Sequence, residues 1–283
     1  MALMMACVSC GASSVEASTD NTKQSQQMTN KTDSTDALVD IKTSAGDIRV
    51  RLFGDTPRHR DNFLKLVNEG FYNGVLFHRV INEFMIQTGD PDSKTAKKGQ
   101  MLGSGGPGYQ IDAEIVYPKH FHCRGALAAA RQADQVNPRR QSSGSQFYIV
   151  TGRVSTESEI SHLEQQLGMM RKQGIFQQLA SERQDEIRRM QAAGDHAGLE
   201  ALRQQLIAAT EEKAANDSTP VMTAAQREAY TTVGGAPHLD GQYTVFGQVE
   251  QGMDVVDKIE KTATDGNDRP VDDIKIISMS IVK

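Results

Sequence analysis

The chain has 283 residues, of which 38% are hydrophobic and 5% aromatic, and its formal net charge is -5. This length allows a buried core in one large domain or two small ones. No basic excess points to nucleic acid as a partner, and three cysteines are too few for a disulfide framework.

An apolar start and a polar stretch precede the first predicted strand. The apolar residues lead into Cys10 and a run of small residues, as at the end of a bacterial secretory or lipoprotein signal. The charged segment of such a signal is missing, so either the start is truncated or the apolar run has no targeting role. We expect export to the periplasm or to a membrane, with residues 1–36 as signal remnant and disordered tether. Cys10 is preferred over Cys7 as the lipid-bearing residue, and a targeting remnant is preferred over redox or zinc chemistry for this C-x-x-C pair.

Alternating apolar residues predict a hairpin with strands at 38–43 and 46–53. Thr56, with a proline after it, predicts the N-cap and first turn of a helix. Short strands and glycine turns follow, and the chain closes with a short helix at 252–259 and a strand at 275–282. Many strands, few helices and short turns predict a mainly β protein with a closed antiparallel barrel.

Two strand-like stretches carry the candidate site. In an extended strand Met85 and Gln87 point to the same face, and so do Gln146 and Tyr148. Arg79 lies shortly before the first pair. The two strands would therefore line one groove with rings, a thioether, amides and a guanidinium. This set contains neither a nucleophile–base pair nor a metal-ligand cluster.

Two other patterns do not support a second chemistry. The glycine-rich run 103–108 lacks the Lys-Ser/Thr ending and the following helix of a phosphate loop, so a turn is expected. His120 and His122 could share a strand face, but no third ligand accompanies them, and we expect no metal.

Residues 155–234 show a helical pattern that is far longer than an ordinary loop. Thr156 with Glu159, and Thr223 with Gln226, form capping boxes that predict two helix starts. Apolar residues recur between them at a spacing of three and four, which predicts an α-helical hairpin inserted as a separable arm.

The hairpin is expected to turn at 194–198. Its first helix, if unbroken from Thr156 to Ala193, would be about 55 Å long, and Gly168 or Gly174 could interrupt it. Two interpretations stay open. The hairpin buries its own apolar stripe, or its free face binds a client protein or a second copy of the chain.

Five motifs follow one another in an order that resembles the cyclophilin family of peptidyl-prolyl isomerases. The resemblance covers the chain from about Ala37 to Lys283 and is interrupted by the helical insertion. It implies an eight-stranded closed antiparallel barrel, built from 37–154 and 235–283, with a helix at each end. The five motifs lie at 77–90, 103–109, 125–131, 144–150 and 239–247.

The resemblance implies rotation about X-Pro bonds in peptides and unfolded client proteins, without a cofactor. The two isomers of an X-Pro bond are separated by a barrier of ~18–20 kcal/mol. A guanidinium near the prolyl nitrogen stabilises the lone pair that develops in the twisted amide more than the planar ground state. The alternative is a proline-peptide binding or chaperone module in which the helical insertion binds clients.

The family's site residues fall on matching positions of this chain. Arg79 matches the catalytic arginine, Gln87 the amide that positions it, and Gln146 the amide that binds substrate backbone. The matching substrate-binding positions are Phe84, Met85, Ala130, Arg131, Tyr148, His238, Leu239 and Tyr243.

Four of these positions depart from common family residues. Arg131 stands where many members have asparagine, and Tyr148 where phenylalanine is usual. Tyr243 and His238 stand where the animal enzymes carry histidine and tryptophan. None of these changes removes the arginine, so activity is expected. Cyclosporin should bind weakly, because the family holds this drug with the tryptophan N–H.

Overall fold

The computed structural model describes residues 36–282. The predicted signal remnant and tether lie outside this range apart from Asp36, and so do both cysteines considered for lipid attachment. Within residues 36–282, every helix is too short or too polar to cross a membrane.

The described part of the chain contains ten strands. They are β1 (Ala37–Thr43), β2 (Gly46–Leu52), β3 (Arg79–Ile81), β4 (Met85–Thr88), β5 (Gln110–Ile111), β6 (Ala126–Ala129), β7 (Ser142–Ser143), β8 (Phe147–Val150), β9 (Val245–Gln251) and β10 (Ile276–Ile281). Eight of them form one sheet in the order β10-β1-β2-β9-β6-β8-β4-β3, with every neighbouring pair antiparallel, while β5 pairs with β7.

The predicted eight-stranded antiparallel sheet is confirmed, but its closure into a barrel is not. β3 and β10 are the end strands of the curled sheet. The segment just before β3 reaches the start of β10 through backbone hydrogen bonds. The Phe77 N–H donates to the Ile274 carbonyl at 2.8 Å, and the Ile276 N–H donates to the Val75 carbonyl at 2.8 Å. The two ends of the sheet therefore meet over this short stretch.

The larger apolar core lies against two helices, α1 (Pro57–Asn68) and α6 (Met253–Glu260). Phe63 of α1 and Val256 and Ile259 of α6 are at most 2% exposed. Each such side chain contributes roughly 1.5–3 kcal/mol when it is fully buried. The two helices predicted beside the sheet are thus present and packed on it.

The start of α1 differs from the prediction. Thr56 is the N-cap residue by position, but its hydroxyl donates to the Phe53 carbonyl at 3.2 Å and does not bond to the helix. The Glu114 carboxylate instead accepts from the N–H groups of Arg58, at 3.1 Å, and His59, at 2.9 Å. A negative group also suits this end of the helix dipole. A distant loop therefore supplies the cap that the sequence assigned to Thr56.

Four helices follow β8 before the chain returns to the sheet. They are α2 (Glu157–Glu182), α3 (Gln184–Ala193), α4 (His196–Asn216) and α5 (Ala224–Thr232). Both predicted capping boxes form. The break in the long first helix falls at Arg183, whereas Gly168 and Gly174 lie inside α2.

Helices α2 and α4 pack against each other as a helical hairpin. Leu202 and Leu206 of α4 are buried. Lys172 of α2 also forms an exposed ion pair with Glu211 of α4, so the two helices lie side by side at this level.

Helix α5 is attached to the sheet-bearing part of the chain as well as to α2. Ile160, Met222 and Tyr230 form a small buried cluster against which Phe121, just before β6, is packed. The Phe121 and Tyr230 rings meet edge to face at 5.7 Å, and the Ser155 N–H donates to the Tyr230 carbonyl at 2.9 Å. The helical segment therefore has a fixed base beneath its hairpin.

Candidate active site

Three neighbouring strands bring the predicted groove residues together. Arg79 at the start of β3 pairs with Gln87 on β4, and Gln87 pairs with Tyr148 on β8. Met85, two residues before Gln87, is also on β4, and alternation along a strand turns both side chains to one face. The register of the sheet thus assembles the two predicted stretches into one site.

A cavity of about 340 Å³ opens beside this face. Gln146 borders the adjoining groove, and the His238 ring contacts the Phe84 ring at an angle of 34°, with ring centroids 5.4 Å apart. The other predicted residues line the cavity itself: Arg79, Phe84, Met85, Gln87, Ala130, Arg131, Tyr148, Leu239 and Tyr243.

One end of the cavity is apolar. Met85 and Tyr148 are 2% and 5% exposed and belong to one buried cluster. Phe84, Leu239 and Tyr243 pack against that cluster and remain partly exposed. Their arrangement provides a small apolar recess that is open to solvent on one side and can take a ring-shaped apolar group.

Two amide side chains connect the strands to the glycine-rich loop. Gln87 Nε2 donates to Gln146 Oε1 at 3.0 Å, and Gln146 Nε2 donates to the Gly105 carbonyl at 2.7 Å. Asp90 holds this loop, because its Oδ2 accepts from the Gly103 N–H at 2.5 Å. The run 103–108 is an irregular loop with bends, and the amide N–H of Gln87 is directed at Gln146.

Arg79 has a half-exposed side chain at the mouth of the cavity. Its Nε lies 3.5 Å from Asp268 Oδ2, and the two side chains are 43% and 46% exposed. The Val80 N–H donates to the Asp268 carbonyl at 2.7 Å, which fixes the loop of Asp268 to β3. An ion pair this exposed contributes at most about 1 kcal/mol, so the guanidinium stays accessible to a ligand.

Arg131 is held by the protein. Its side chain is 3% exposed, and its guanidinium carbon lies 4.4 Å from the Tyr243 ring centroid. Arg131 Nε donates to the Gln242 carbonyl at 3.0 Å, and Nη1 pairs with Asp134 Oδ1 at 2.6 Å. The charged end predicted to contact substrate thus supports Tyr243 as a wall of the cavity.

The Tyr148 hydroxyl at the floor of the cavity has a partner that the sequence did not indicate. It lies 3.1 Å from His122 Nε2, and His122 Nδ1 lies 3.0 Å from Asp240 Oδ1. Burial raises the pKa of the Tyr148 phenol well above 10, so it keeps its proton. Asp240 directly follows Leu239 in the fifth motif, which was the available signal for it, whereas His122 had been considered only as a metal ligand.

The histidines considered in the sequence analysis interact with other groups of the protein. His120 Nε2 lies 2.7 Å from Asp55 Oδ1, and burial lowers the pKa of His238, with the neighbouring His122 acting in the same direction. Among residues 36–282, no group of three or more His, Cys, Asp or Glu side chains is arranged to hold a metal.

Two loops complete the cavity and were not predicted from the sequence. Residues 100–102 and residues of the loop 265–269 line the cavity. Arg269 joins the loops, because Nη1 donates to the Lys97 carbonyl at 2.9 Å and Nη2 to Asp273 Oδ1 at 2.9 Å. Their sequences carry no motif, and only the fold brings these distant segments together.

The chain is similar in sequence and in fold to known proteins. The family model for "Cyclophilin type peptidyl-prolyl cis-trans isomerase/CLD" matches residues 38–166 and 182–281. A Staphylococcus saprophyticus protein named as a peptidyl-prolyl cis-trans isomerase is 30% identical over 245 residues, covering 86% of this chain and 90% of that protein. A Helicobacter pylori peptidyl-prolyl cis-trans isomerase is 39% identical over 114 residues, which cover 40% of this chain and 61% of that protein. In fold, the chain is similar to a Cryptosporidium parvum cyclophilin type isomerase, with a TM-score of 0.50 and 22% identity over 88% of this chain and 98% of the other.

Proposed function

The chain belongs to the cyclophilin-type peptidyl-prolyl cis-trans isomerases, and on this premise we propose that the cavity beside Arg79 is the active site and that Arg79 stabilises the twisted X-Pro amide. The observation that carries the proposal is a half-exposed guanidinium at the mouth of an apolar recess. The substrates are proline-containing peptides and proline-containing segments of unfolded proteins.

The apolar recess holds the pyrrolidine ring and keeps water from it. Phe84, Met85 and Leu239 provide its walls, and Tyr148 provides its floor. Burial of the ring is driven by the removal of apolar surface from water. Because the ring is held, rotation occurs in the part of the substrate that precedes the proline.

The guanidinium of Arg79 acts on the prolyl nitrogen. As the amide twists, conjugation is lost and the nitrogen gains a lone pair that accepts a hydrogen bond. The planar amide has no such acceptor, so Arg79 binds the transition state more strongly than the ground state. No bond is made or broken, and no proton is transferred.

The amide side chains hold the substrate backbone in the adjoining groove. Gln146 is 5% exposed and already donates to the Gly105 carbonyl. Gln87 bonds to Gln146 and is the cross-strand neighbour of Arg79. This pair therefore keeps the groove and the guanidinium at a fixed spacing while the substrate turns.

The test compares the parent with Arg79→Ala on a short X-Pro peptide. We expect a loss of about 10²–10³-fold in kcat/KM, the cost of removing one electrostatic donor from an active site. Arg49→Ala is a matched control, since Arg49 is also partly exposed and ion-paired, with Asp40, but lies on β2 away from the cavity. A folded Arg79→Ala protein as fast as the parent would disprove the role of Arg79.

A second candidate function, client binding by the α2–α4 hairpin, is favoured by one feature of α2. Met169 and Met170 are 63% and 66% exposed, and flexible thioether side chains suit surfaces that bind varied partners. Self-association through the same face is the competing outcome. Sedimentation of the purified protein over a range of concentrations separates a client-binding arm from a dimer contact.

We also propose export and attachment to a bacterial membrane through Cys10. The small residues after Cys10 and the polar stretch that follows are the supporting pattern. Expression in a bacterium, followed by membrane fractionation, tests this. The Cys10→Ala variant should be released from membranes, whereas Cys7→Ala should stay attached.

A further inference from the structure

A chain of polar groups leads from the floor of the cavity to helix α5. The Tyr148 hydroxyl bonds to His122 Nε2 at 3.1 Å, and His122 Nδ1 bonds to Asp240 Oδ1 at 3.0 Å. The second carboxylate oxygen, Oδ2, accepts from the Tyr230 hydroxyl at 2.7 Å and from Gln226 Nε2 at 3.1 Å. Three hydrogen bonds therefore separate Tyr148 from Tyr230.

All the residues of this hydrogen-bonded series are almost completely buried. His122, Gln226 and Tyr230 are 0% exposed, Tyr148 is 5% exposed, and the Asp240 side chain is 6% exposed. In such surroundings each polar group depends on its partner, because water cannot replace a lost hydrogen bond. A change at one end is therefore expected to disturb the positions of the others.

The Asp240 carboxylate collects hydrogen bonds from two elements. Its Oδ1 accepts from the His122 backbone N–H at 2.9 Å, and its Oδ2 accepts from the Gln226 amide N–H at 3.1 Å. The His122 ring lies between this carboxylate and the Tyr148 hydroxyl, within hydrogen-bond distance of both. The position of the Tyr148 hydroxyl is thereby tied, through His122, to that of Asp240.

Asp240 also determines where one wall of the cavity lies. It follows the short 3₁₀ turn Pro237–Leu239, and its N–H donates to the Pro237 carbonyl at 3.2 Å. His238 and Leu239 both come from this turn. The groups that hold the Asp240 carboxylate therefore hold the wall as well.

We propose that His122, Asp240 and Tyr230 are positioning residues, through which α5 sets the shape of the proline recess. The inference rests on the proposed function of the same cavity. None of the three lines the cavity, whereas Tyr148 and Leu239, which they hold, both do. Recess shape affects the bound planar amide and the twisted amide alike, so the effect belongs to KM. Arg79 is untouched, and kcat should be kept.

The experiment uses full-length variants that each remove one hydroxyl and keep the ring. Tyr230→Phe and Tyr148→Phe each remove the hydroxyl at one end of the hydrogen-bonded series. The two substitutions are made singly and in one double variant. Tyr117→Phe is the matched control, because the Tyr117 hydroxyl bonds to the Val221 carbonyl near α5, at 3.4 Å, but not to Asp240. For each protein, KM and kcat on one X-Pro peptide are measured with the melting temperature.

We expect Tyr230→Phe to raise KM roughly 2- to 30-fold, the size of change seen for residues that act on a site through others. The value of kcat should stay within about 2-fold, and Tyr117→Phe should match the parent. Because the two hydroxyls share one network, their separate changes in KM should not multiply in the double variant.

Two results would overturn the proposal: a Tyr230→Phe protein with the KM of the parent, or single effects on KM that multiply in the double variant. A parent that fails to isomerise the peptide at all would instead reject the proposed function, which the Arg79 variants test separately.

Discussion

Among the arginines that line the cavity, Arg79 and Arg131 have opposite surroundings. The Arg79 side chain is 43% exposed and shares one ion pair with an equally exposed carboxylate. The Arg131 side chain is 3% exposed, stacked on Tyr243 and bonded to Gln242 and Asp134. The Nε and Nη1 donors of Arg131 cannot be redirected to a substrate without breaking these bonds. This contrast supports our proposal that Arg79 acts on the substrate amide, while Arg131 supports the wall of the cavity.

His238 leads to a prediction about inhibitor binding. Its ring packs at a tilt against the Phe84 ring, and His238 stands where the family's animal members carry a tryptophan that donates its N–H to cyclosporin. We expect weak binding by the parent and tighter binding by His238→Trp, because the indole restores both the donor and the larger apolar face. Isothermal titration of both proteins measures this. Equal affinities would show that other residues decide the outcome.

His78 leads to a prediction about pH. Burial lowers the pKa of His78 to about 4, and the Asp90 carboxylate offsets this only in part. Between pH 6.5 and about 4 the unfolded chain therefore binds a proton that the folded protein does not. The free energy of unfolding is therefore not reduced by His78 above pH 6.5. It falls as the pH is lowered from 6.5 to about 4, by about 3 kcal/mol in total.

The check is urea unfolding of the parent and of His78→Leu from pH 7.5 to 4.5. The free energy of unfolding should fall less steeply with decreasing pH in the variant. His59 contributes in the same direction, since burial outweighs its hydrogen bond to Glu114 and lowers its pKa, so some slope should remain. Parallel curves for the two proteins would rule out His78 as a source of the acid sensitivity.

The sequence predicted which residues line the candidate site where their position depends on strand alternation and motif order. Met85, Gln87 and Tyr148 were predicted because alternation along a strand fixes which side chains share a face. Asp268, His122 and Tyr230 were missed, because their contacts depend on how loops and α5 pack. No local periodicity records a contact between residues so far apart in the chain.

At the scale of helices and strands, some helix caps could be predicted from the sequence and one could not. The capping boxes of α2 and α5 were predictable, since each is complete within four consecutive residues. The cap of α1 was not, because it comes from Glu114 on another loop. A carboxylate that accepts from two backbone N–H groups and the His59 ring is also a tether between that loop and the helix.

The two capping boxes provide a matched pair of variants. Thr223 and Thr156 each accept from an N–H at 3.2 Å, and loss of such a cap costs about 1 kcal/mol. In α5 the partner Gln226 also donates to Asp240, whereas α2 has no such link through its partner Glu159. We expect both Thr→Ala changes to reduce helix stability, but only Thr223→Ala to raise KM for a peptide.

Circular dichroism melting and peptide kinetics on the two variants decide this prediction. A Thr156→Ala protein with the same rise in KM as Thr223→Ala would mean that the whole helical segment, and not α5, acts on the cavity.

For the whole molecule, the structure limits how much of the helical segment can be removed. Ile160, Met222 and Tyr230 form the buried base of the segment against Phe121. The expectation of a separable arm therefore applies to the outer hairpin and not to all of 155–234. The ion pair between Lys172 and Glu211 shows that the chain can be rejoined at that level.

We predict that replacing 173–210 with a short glycine-serine linker leaves a folded protein with the peptide rate of the parent. Closing the gap costs little, since loop entropy changes slowly with length. Deleting 155–234 should lower both the melting temperature and kcat/KM, because it removes Gln226 and Tyr230 from the Asp240 carboxylate.

The isomerisation rates of the parent and the 173–210 variant on an unfolded protein substrate then test whether the hairpin has a role of its own. If the hairpin binds clients, the 173–210 replacement slows this reaction and spares the peptide reaction. If the 173–210 variant lost activity on the peptide as well as on the unfolded protein, the outer hairpin would not be separable from the buried base of the segment.

The strand order has a consequence for synthesis of the chain on the ribosome. β1 and β2 are made first, yet their outer partners are β10 and β9, near the end of the chain. At about 5–20 residues per second, translation takes on the order of tens of seconds. During that time the first hairpin has an apolar face and no sheet to join. The eight-stranded sheet is therefore complete only after β10, the last strand of the described residues, has been made.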